Sequence, residues 1–446
     1  MWKWGLLAGV LAVILWVAVR RDIGYEKTYT GDLRNRVTGA RLVKDGRSPY
    51  FYKWDQADGL RYYDPANFDR MKPSNMTSTP MLYHLLSPLV DLPEAELSKG
   101  WLGIEYGILI GLVLFAFSWA PTVVDKQAVL LTAGLVLLSN GWKSHIIVGQ
   151  TYLCIPLMAM VFLVFWRKET FPAWGFAAGV AAVCLVSIRP NTALFFVPFL
   201  WLLRHRSRAW LGCLFLPPLL FACWLLVSPH ERSLWSGYFR NISEAAKFEQ
   251  QPDVYGVDTN PRDPHFTRWE GIDMAQAARA DSISRIRTPF YSENGNVFIL
   301  SRLILHRSLS RTALAVCAVT CTALLILLYW LRLSAGYRDQ VTRAAIFGCC
   351  LFMIPDLFSP IYRHQYYTTQ WILPLLLAAT LVSTRDRRWF IVLLGALLLD
   401  VVHLGFIKME NTIGEYAWFL TLAALSLTPG GRMPSKQPPA SVSADR

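Results

Sequence analysis

Charge is scarce in this sequence. Asp, Glu, Lys and Arg make up only 17% of the 446 residues while 54% are hydrophobic, which excludes a soluble multidomain enzyme and describes a chain whose preferred solvent is lipid. Acid is scarcer still, with 31 Asp and Glu against 44 Lys and Arg, a formal net charge of +13. In a soluble chain that excess would raise the question of nucleic acid. Here the clusters Arg167-Lys168, Arg204-Arg206-Arg208 and Arg385-Arg387-Arg388 fall in short loops between apolar blocks, where positive charge marks the inner side of a membrane, and no nucleic-acid role is read. Cysteine is missing from both long polar stretches, 20–100 and 229–311, because all eight lie in apolar blocks; a disulfide framework is therefore excluded. Cys317 and Cys321 share a helix face, yet no His or acid accompanies them. No metal site is read, and the cysteines are expected to be small core residues. Fixed-period repeats are lacking too, and the one low-complexity stretch, 429–446, reads as a disordered cytoplasmic tail.

What is abundant is apolar sequence in blocks. They run over 2–19, 101–119, 128–140, 150–166, 173–188, 191–203 and 209–228, then 312–333, 341–358, 366–383, 389–407 and 412–428. The fold class expected is an all-α polytopic membrane protein with about twelve spans, residues 1–428 forming one integral-membrane domain. Several blocks fall short of the ~20 residues of a full span, so some helices must be extended or broken. Trp101, Trp119, Trp142, Trp166, Trp174, Trp210, Trp330 and Trp389 stand at block ends, the place of an interfacial aromatic belt.

With a cytoplasmic amino terminus and twelve crossings, the basic loops lie inside and both long polar loops lie outside. The turns 141–149, 189–190, 359–365 and 408–411 share that outer side. Arg20-Arg21, directly after the first block, run against this orientation. That block lacks a small-x-small cleavage site before its charges, so it reads as an uncleaved anchor. Thr79–Leu92, interrupted by prolines, is too short to span and is expected to dip into the outer leaflet; Gly271–Arg287 reads as a helix on the membrane surface or in solvent. Asn75 and Asn241 head N-x-[ST] triplets in the outer loops.

Four features can carry chemistry. Asp32 follows the first anchor closely enough to meet a lipid-linked head group, although it is also one of several loop acids. Gln150 ends the polar run GWKSHIIVGQ with Lys143 and His145, where it either meets a ligand or bonds a neighbouring span. Arg189-Pro190 interrupts two apolar stretches and leaves a guanidinium that either snorkels or binds an anion. Arg363-His364 can donate charge-assisted hydrogen bonds to phosphate, with a surface pair as the competing reading. An acid, an amide and several cations at one leaflet suit group transfer from a lipid phosphate: a carboxylate takes the acceptor proton while cations stabilise the departing phosphate.

In their order these residues resemble the GT-C membrane glycosyltransferases, and glycosyltransferase family 87 most closely. The likeness is carried by Asp32 with Gly46-Arg47-Ser48-Pro49-Tyr50, Thr79-Pro80-Met81 through Ser87-Pro88, Gly149-Gln150, Arg189-Pro190, and Ser359-Pro360 with Arg363-His364, over roughly residues 25–385. The resemblance implies an inverting transferase that takes a sugar, mannose by family habit, from a polyprenyl-phosphate donor. The acceptor hydroxyl belongs to a glycolipid or glycan at the extracytoplasmic face of the cell membrane. Asp32 would be the catalytic base; Arg189, Arg363 and His364 would hold donor phosphate without a bound metal or cofactor; and Gln150, Lys143, His145 and Tyr50 would line the pocket. Arg189 stands where the family more often has lysine. The alternatives are a transporter or flippase for a lipid-linked anion, needing a polar path to both faces, and a scaffold with Asp32 and Arg189 far apart.

Overall fold

The computed structural model describes residues 2–26, 31–64, 76–168, 170–249, 272–284, 295–307, 309–332, 337–361, 363–383, 387–402 and 410–428. The expected disordered tail, 429–446, lies outside them, as do Asn75 and the first half of the turn 408–411. No strand occurs among the described residues. The helices are α1 (Trp2–Glu26), α2 (Gly31–Lys44), α3 (Pro80–Leu86), α4 (Glu94–Trp119), α5 (Val123–Leu138) and α6 (Asn140–Val148). They continue with α7 (Cys154–Trp166), α8 (Pro172–Ile188), α9 (Val197–Leu202), α10 (Arg208–Val227), α11 (Pro229–Glu249) and α12 (Met274–Ser284). The last six are α13 (Val297–Leu305), α14 (Arg311–Arg332), α15 (Tyr337–Leu357), α16 (Ile372–Ala379), α17 (Arg387–Val401) and α18 (Glu410–Leu427).

Among the described residues three helices, α4, α10 and α14, are long and apolar enough to cross a membrane, and α5 with α6 makes a fourth if the pair, bent by 54°, counts as one span. Other apolar blocks are shorter or broken. Residues 191–203 and 366–383, expected as spans, each enter through a 3₁₀ segment, Pro190–Phe196 and Gln365–Trp371, before a short α-helix. In the first case proline accounts for the break: it disfavours the α conformation at the residue before it, and Arg189 is extended with φ −148° and ψ 101°.

Local signals place the helix ends. Thr122 and Asp125 close a capping box at the start of α5, and the same Asp125 carboxylate accepts from the Ser383 N–H at 2.7 Å, tying that end to the chain after α16. Ser139 caps α6 by accepting from the Trp142 N–H at 3.1 Å. At the other end of α6, Gly149 adopts the left-handed conformation, φ 62° and ψ 53°, that stops the helix. Helices α8 and α10 meet through small residues: a Cβ on Gly175 would lie 2.4 Å from the Trp210 carbonyl, and one on Gly179 would lie 2.3 Å from that of Leu214. Backbones this close exclude any side chain there.

Two cores result. The bundle core joins α4 through α9 with α15 through α18. A second core, rich in tyrosine and tryptophan, is built from the first long polar stretch: Leu33, Val37 and Ala40 of α2 pack with Tyr50, Trp54, Tyr63 and Tyr83, and α11 and α12 add Leu234 and Ala277. Helices α11 and α12 of the second polar stretch therefore share a layer with the first. Thr79–Leu92, expected to dip into lipid, buries Leu82, Tyr83 and Leu86 in that layer and leaves Leu85 and Leu92 exposed. The helix expected within 271–287 is present as α12. Asn241 does not offer its amide to a glycan, since the side chain is fully buried and donates to the Met76 carbonyl at 2.9 Å.

Three other sequence expectations change. Trp101, Trp142, Trp166 and Trp210 are buried in the packing, not set in a belt; Arg206 stacks between Trp166 and Trp210 at 4.7 and 5.0 Å. Only Cys349 and Cys350 are buried, while Cys223 and Cys317 are exposed on helix surfaces and the rest are half-buried. Arg21, whose charge ran against the topology, is neutralised locally: α1 continues to Glu26, and Arg21 donates to Asp22 at 2.8 Å and to the Leu137 carbonyl at 3.1 Å. Asp22 in turn accepts from Tyr106 and Trp142 at 2.8 and 2.9 Å.

Candidate active site

Asp32 lies in the first turn of α2 and is half-buried. The Gln150 side-chain amide donates to its carboxylate across 118 residues. Gln150 is itself held, its carbonyl accepting from the Trp101 indole at 3.2 Å and its N–H donating to the His145 carbonyl at 3.2 Å. The left-handed turn at Gly149 is what swings Gln150 off the axis of α6 toward α2.

Beyond Gln150 an aromatic stack crosses the site. Tyr152 faces Tyr366 and Tyr367 with ring centroids 5.7 and 4.7 Å apart, and His364 stacks on Tyr366 at 4.7 Å. Tyr366 lies within electrostatic range of both Asp32 and Arg36. The Arg189 guanidinium sits 5.2 Å from the Tyr152 ring and 4.9 Å from that of Tyr367, so cation–π contact joins it to the same stack. Arg189 also pairs with Asp356 of α15 and donates to Asn191 at 3.1 Å. Arg363 is buried, pairs with Glu415 of α18, and lies 4.5 Å from the Trp371 ring and 5.9 Å from that of Tyr367.

Asp32, Gln150, Arg189, Arg363 and His364 thus belong to one continuous set of contacts. Lys143 and His145 have other neighbours, because a helical period turns them to other faces of α6. The Lys143 ammonium lies 6.0 Å from the Tyr25 ring of α1. His145 is fully buried, 2.9 Å from Glu105 and 3.2 Å from the Thr369 hydroxyl. Tyr50 is buried, donates to the Ser78 carbonyl at 2.9 Å, and packs against Tyr83 and Tyr238. Thr79 Oγ1 donates to the Ile188 carbonyl at 3.2 Å, which fixes the proline-bounded segment one residue before Arg189.

Several members had escaped sequence reasoning: Arg36, Tyr152, Tyr366, Tyr367, and the carboxylates Asp356 and Glu415. A signal existed for Arg36, four residues after Asp32, once 31–44 is read as a helix. Burial disfavours the Arg36 charge, the Asp32 carboxylate favours it, and the net shift of its pKa is upward.

The family model for glycosyltransferase family 87 matches residues 77–263. This supports a glycosyltransferase family for the chain. The matched segment holds Thr79-Pro80, Gln150 and Arg189; Asp32, Arg363 and His364 lie outside it. Comparison with curated proteins and with solved structures gives no match. The family match indicates glycosyltransferase activity, and the apolar helices α4, α10 and α14 suit a membrane protein. Nothing supports the transporter alternative.

Proposed function

We propose that the chain is an inverting GT-C glycosyltransferase, spanning the membrane up to about twelve times through its long, broken and short apolar segments. It moves a sugar, mannose in the leading case, from a polyprenyl phosphate to a hydroxyl of a glycolipid or glycan at the extracytoplasmic face of the cell membrane. The observation that carries this reading is the bond from Gln150 to Asp32, since it brings an acid from the amino-terminal layer to the aromatic and cationic groups of the bundle. A scaffold would leave these parts separate.

In the reaction the acceptor oxygen bonds to the anomeric carbon as the bond from that carbon to the phosphate oxygen breaks. The acceptor proton passes to Asp32, and the departing electron pair stays on phosphate. A carboxylate is a weak base, so it acts late, when an oxocarbenium-like transition state has made the hydroxyl acidic. Gln150 holds the carboxylate at its post. Arg189, Arg363 and His364 form the phosphate side, where cations offset the charge that develops on the leaving group, and no bound metal is assigned. Tyr50, His145 and Lys143 support the surrounding walls.

The test is transfer from a panel of radiolabelled polyprenyl-phosphate sugars in membranes. Asp32→Asn at normal expression is expected to lose about 10²–10⁴-fold in rate, the usual contribution of a general base. Retained transfer by this variant would remove Asp32 from the role of base, and label moving from none of the donors would remove the donor class. Chelation of divalent metals is expected to leave the rate unchanged.

A further inference from the structure

We infer that Arg36 is a further side chain that grips the phosphate of an isoprenyl-phosphate ligand beside Asp32, alongside Arg189, Arg363 and His364, an assignment that rests on the transferase reading proposed above. Asp32 and Arg36 stand one turn apart on the same face of α2. Arg36 is 6% exposed, so it is a buried guanidinium, and a guanidinium does not shed its charge. Arg189 and Arg363 each have a carboxylate of their own, Asp356 and Glu415. Among the described residues no carboxylate lies at ion-pair distance from Arg36.

The hydrogen bonding of Arg36 is also incomplete. One terminal nitrogen donates to the Asn35 side-chain oxygen at 2.7 Å, and Asn35 is pinned from its other end by donating to Asp64 at 2.8 Å. The Arg36 Nε is buried with no acceptor. Its electrostatic neighbours are Asp32 and the phenol groups of Tyr83, Tyr152 and Tyr366, the groups at which the amino-terminal layer meets the aromatic stack. A buried cation with a spare N–H needs an anion with several acceptor oxygens, and phosphate matches the guanidinium fork. At Arg189 and Arg363 a phosphate must compete with a protein carboxylate; at Arg36 it need not. As the sugar leaves, the phosphate gains negative charge next to this guanidinium while Asp32 takes the acceptor proton.

The experiment measures binding, not transfer, on the purified full chain in lipid nanodiscs, with farnesyl phosphate, farnesol and inorganic phosphate as probes. Wild type is expected to bind farnesyl phosphate about tenfold or more tighter than farnesol, and inorganic phosphate weakly. Arg36→Gln should lose about tenfold for farnesyl phosphate and keep its affinity for farnesol, and Arg36→Lys, which retains charge without the fork, should lose about threefold. Undiminished binding of farnesyl phosphate by either folded variant overturns the inference and leaves the transferase reading standing. If neither variant folds, Arg36 is structural and the inference falls. Equal binding of inorganic phosphate and farnesyl phosphate would mean a site for free anions and overturn the inference. Failure of wild type to distinguish farnesyl phosphate from farnesol would sink the donor reading itself.

Discussion

The turn after α8 and the turn before α16 are built alike. In each an arginine precedes a 3₁₀ segment, Pro190–Phe196 or Gln365–Trp371, that feeds a short helix, and in each the arginine is matched by a carboxylate from a distant helix. They differ in access: the Arg189 side chain keeps 17% of its surface, with Asn191 and two tyrosine rings around it, whereas Arg363 and Glu415 keep 2% each. The Arg189 pair is partly open to solvent; the Arg363 pair is held inside the bundle, where two of the guanidinium nitrogens still have no acceptor among the described residues. Identical charge at two chain breaks therefore gives two roles, decided by how much water or ligand can reach it.

The sharpest break of this comparison is Glu415→Ala. It strands the Arg363 guanidinium in the bundle and should cost about 3–5 kcal/mol, read as loss of thermal stability in detergent. Asp356→Asn should cost less, about 1–3 kcal/mol, because Asn191 and partial exposure remain to serve Arg189; equal losses at both sites would erase the distinction. Close approaches give a second pair of probes. A Cβ at Gly141 would meet Thr368 Oγ1 at 2.0 Å, and one at Gly348 would meet the Phe195 carbonyl at 2.3 Å. Gly348→Ala pushes on backbone and should cost about 1–3 kcal/mol, whereas Gly141→Ala pushes on one rotatable side chain and should fall at or below the lower end. Thermal unfolding of the two variants checks the order.

The smallest effect belongs to the exposed acids of the outer layer, which neither turn contains. The Arg61 hydrogen bond holds Asp45 below the usual carboxylate range, Tyr52 does the same for Asp58, and Lys44 for Asp91. Depressed folded values mean stability that is complete above the ordinary carboxylate pKa of about 4 and is lost as pH falls through the lowered ones. Solvent screening keeps that loss small. Acid titration of thermal stability should show a shallow decline below about pH 4, unchanged in Glu415→Ala.

Much of the helical architecture could be read in advance, because an apolar run must hide its backbone in helix wherever lipid surrounds it. Uniform spans could not. The bend at Ser139 and the 3₁₀ segment that follows Arg189 do not show in hydropathy, since a cap or a missing N–H acts on single residues while hydropathy averages over many. Asp32, Gln150, Arg189, Arg363 and His364 were legible as polar groups costly to place near lipid. Their partners were not: Asp356 sits within α15, and Glu415 sits among apolar residues of α18, with nothing local to mark either as the mate of an arginine 167 or 52 residues away. Lys143 and His145 looked equivalent to Gln150 by proximity, yet helical rotation gave them other neighbours.

Composition and order alone determined that this chain is helical, suited to membranes, and furnished with an acid, an amide and arginines at its breaks. Each of those properties is local and survives in an extended chain. Which arginine is paired with a carboxylate, which is buried without one, and that Gln150 reaches Asp32 were decided only when the helices packed. Burial and pairing depend on distances between residues far apart in sequence, and packing alone sets those distances.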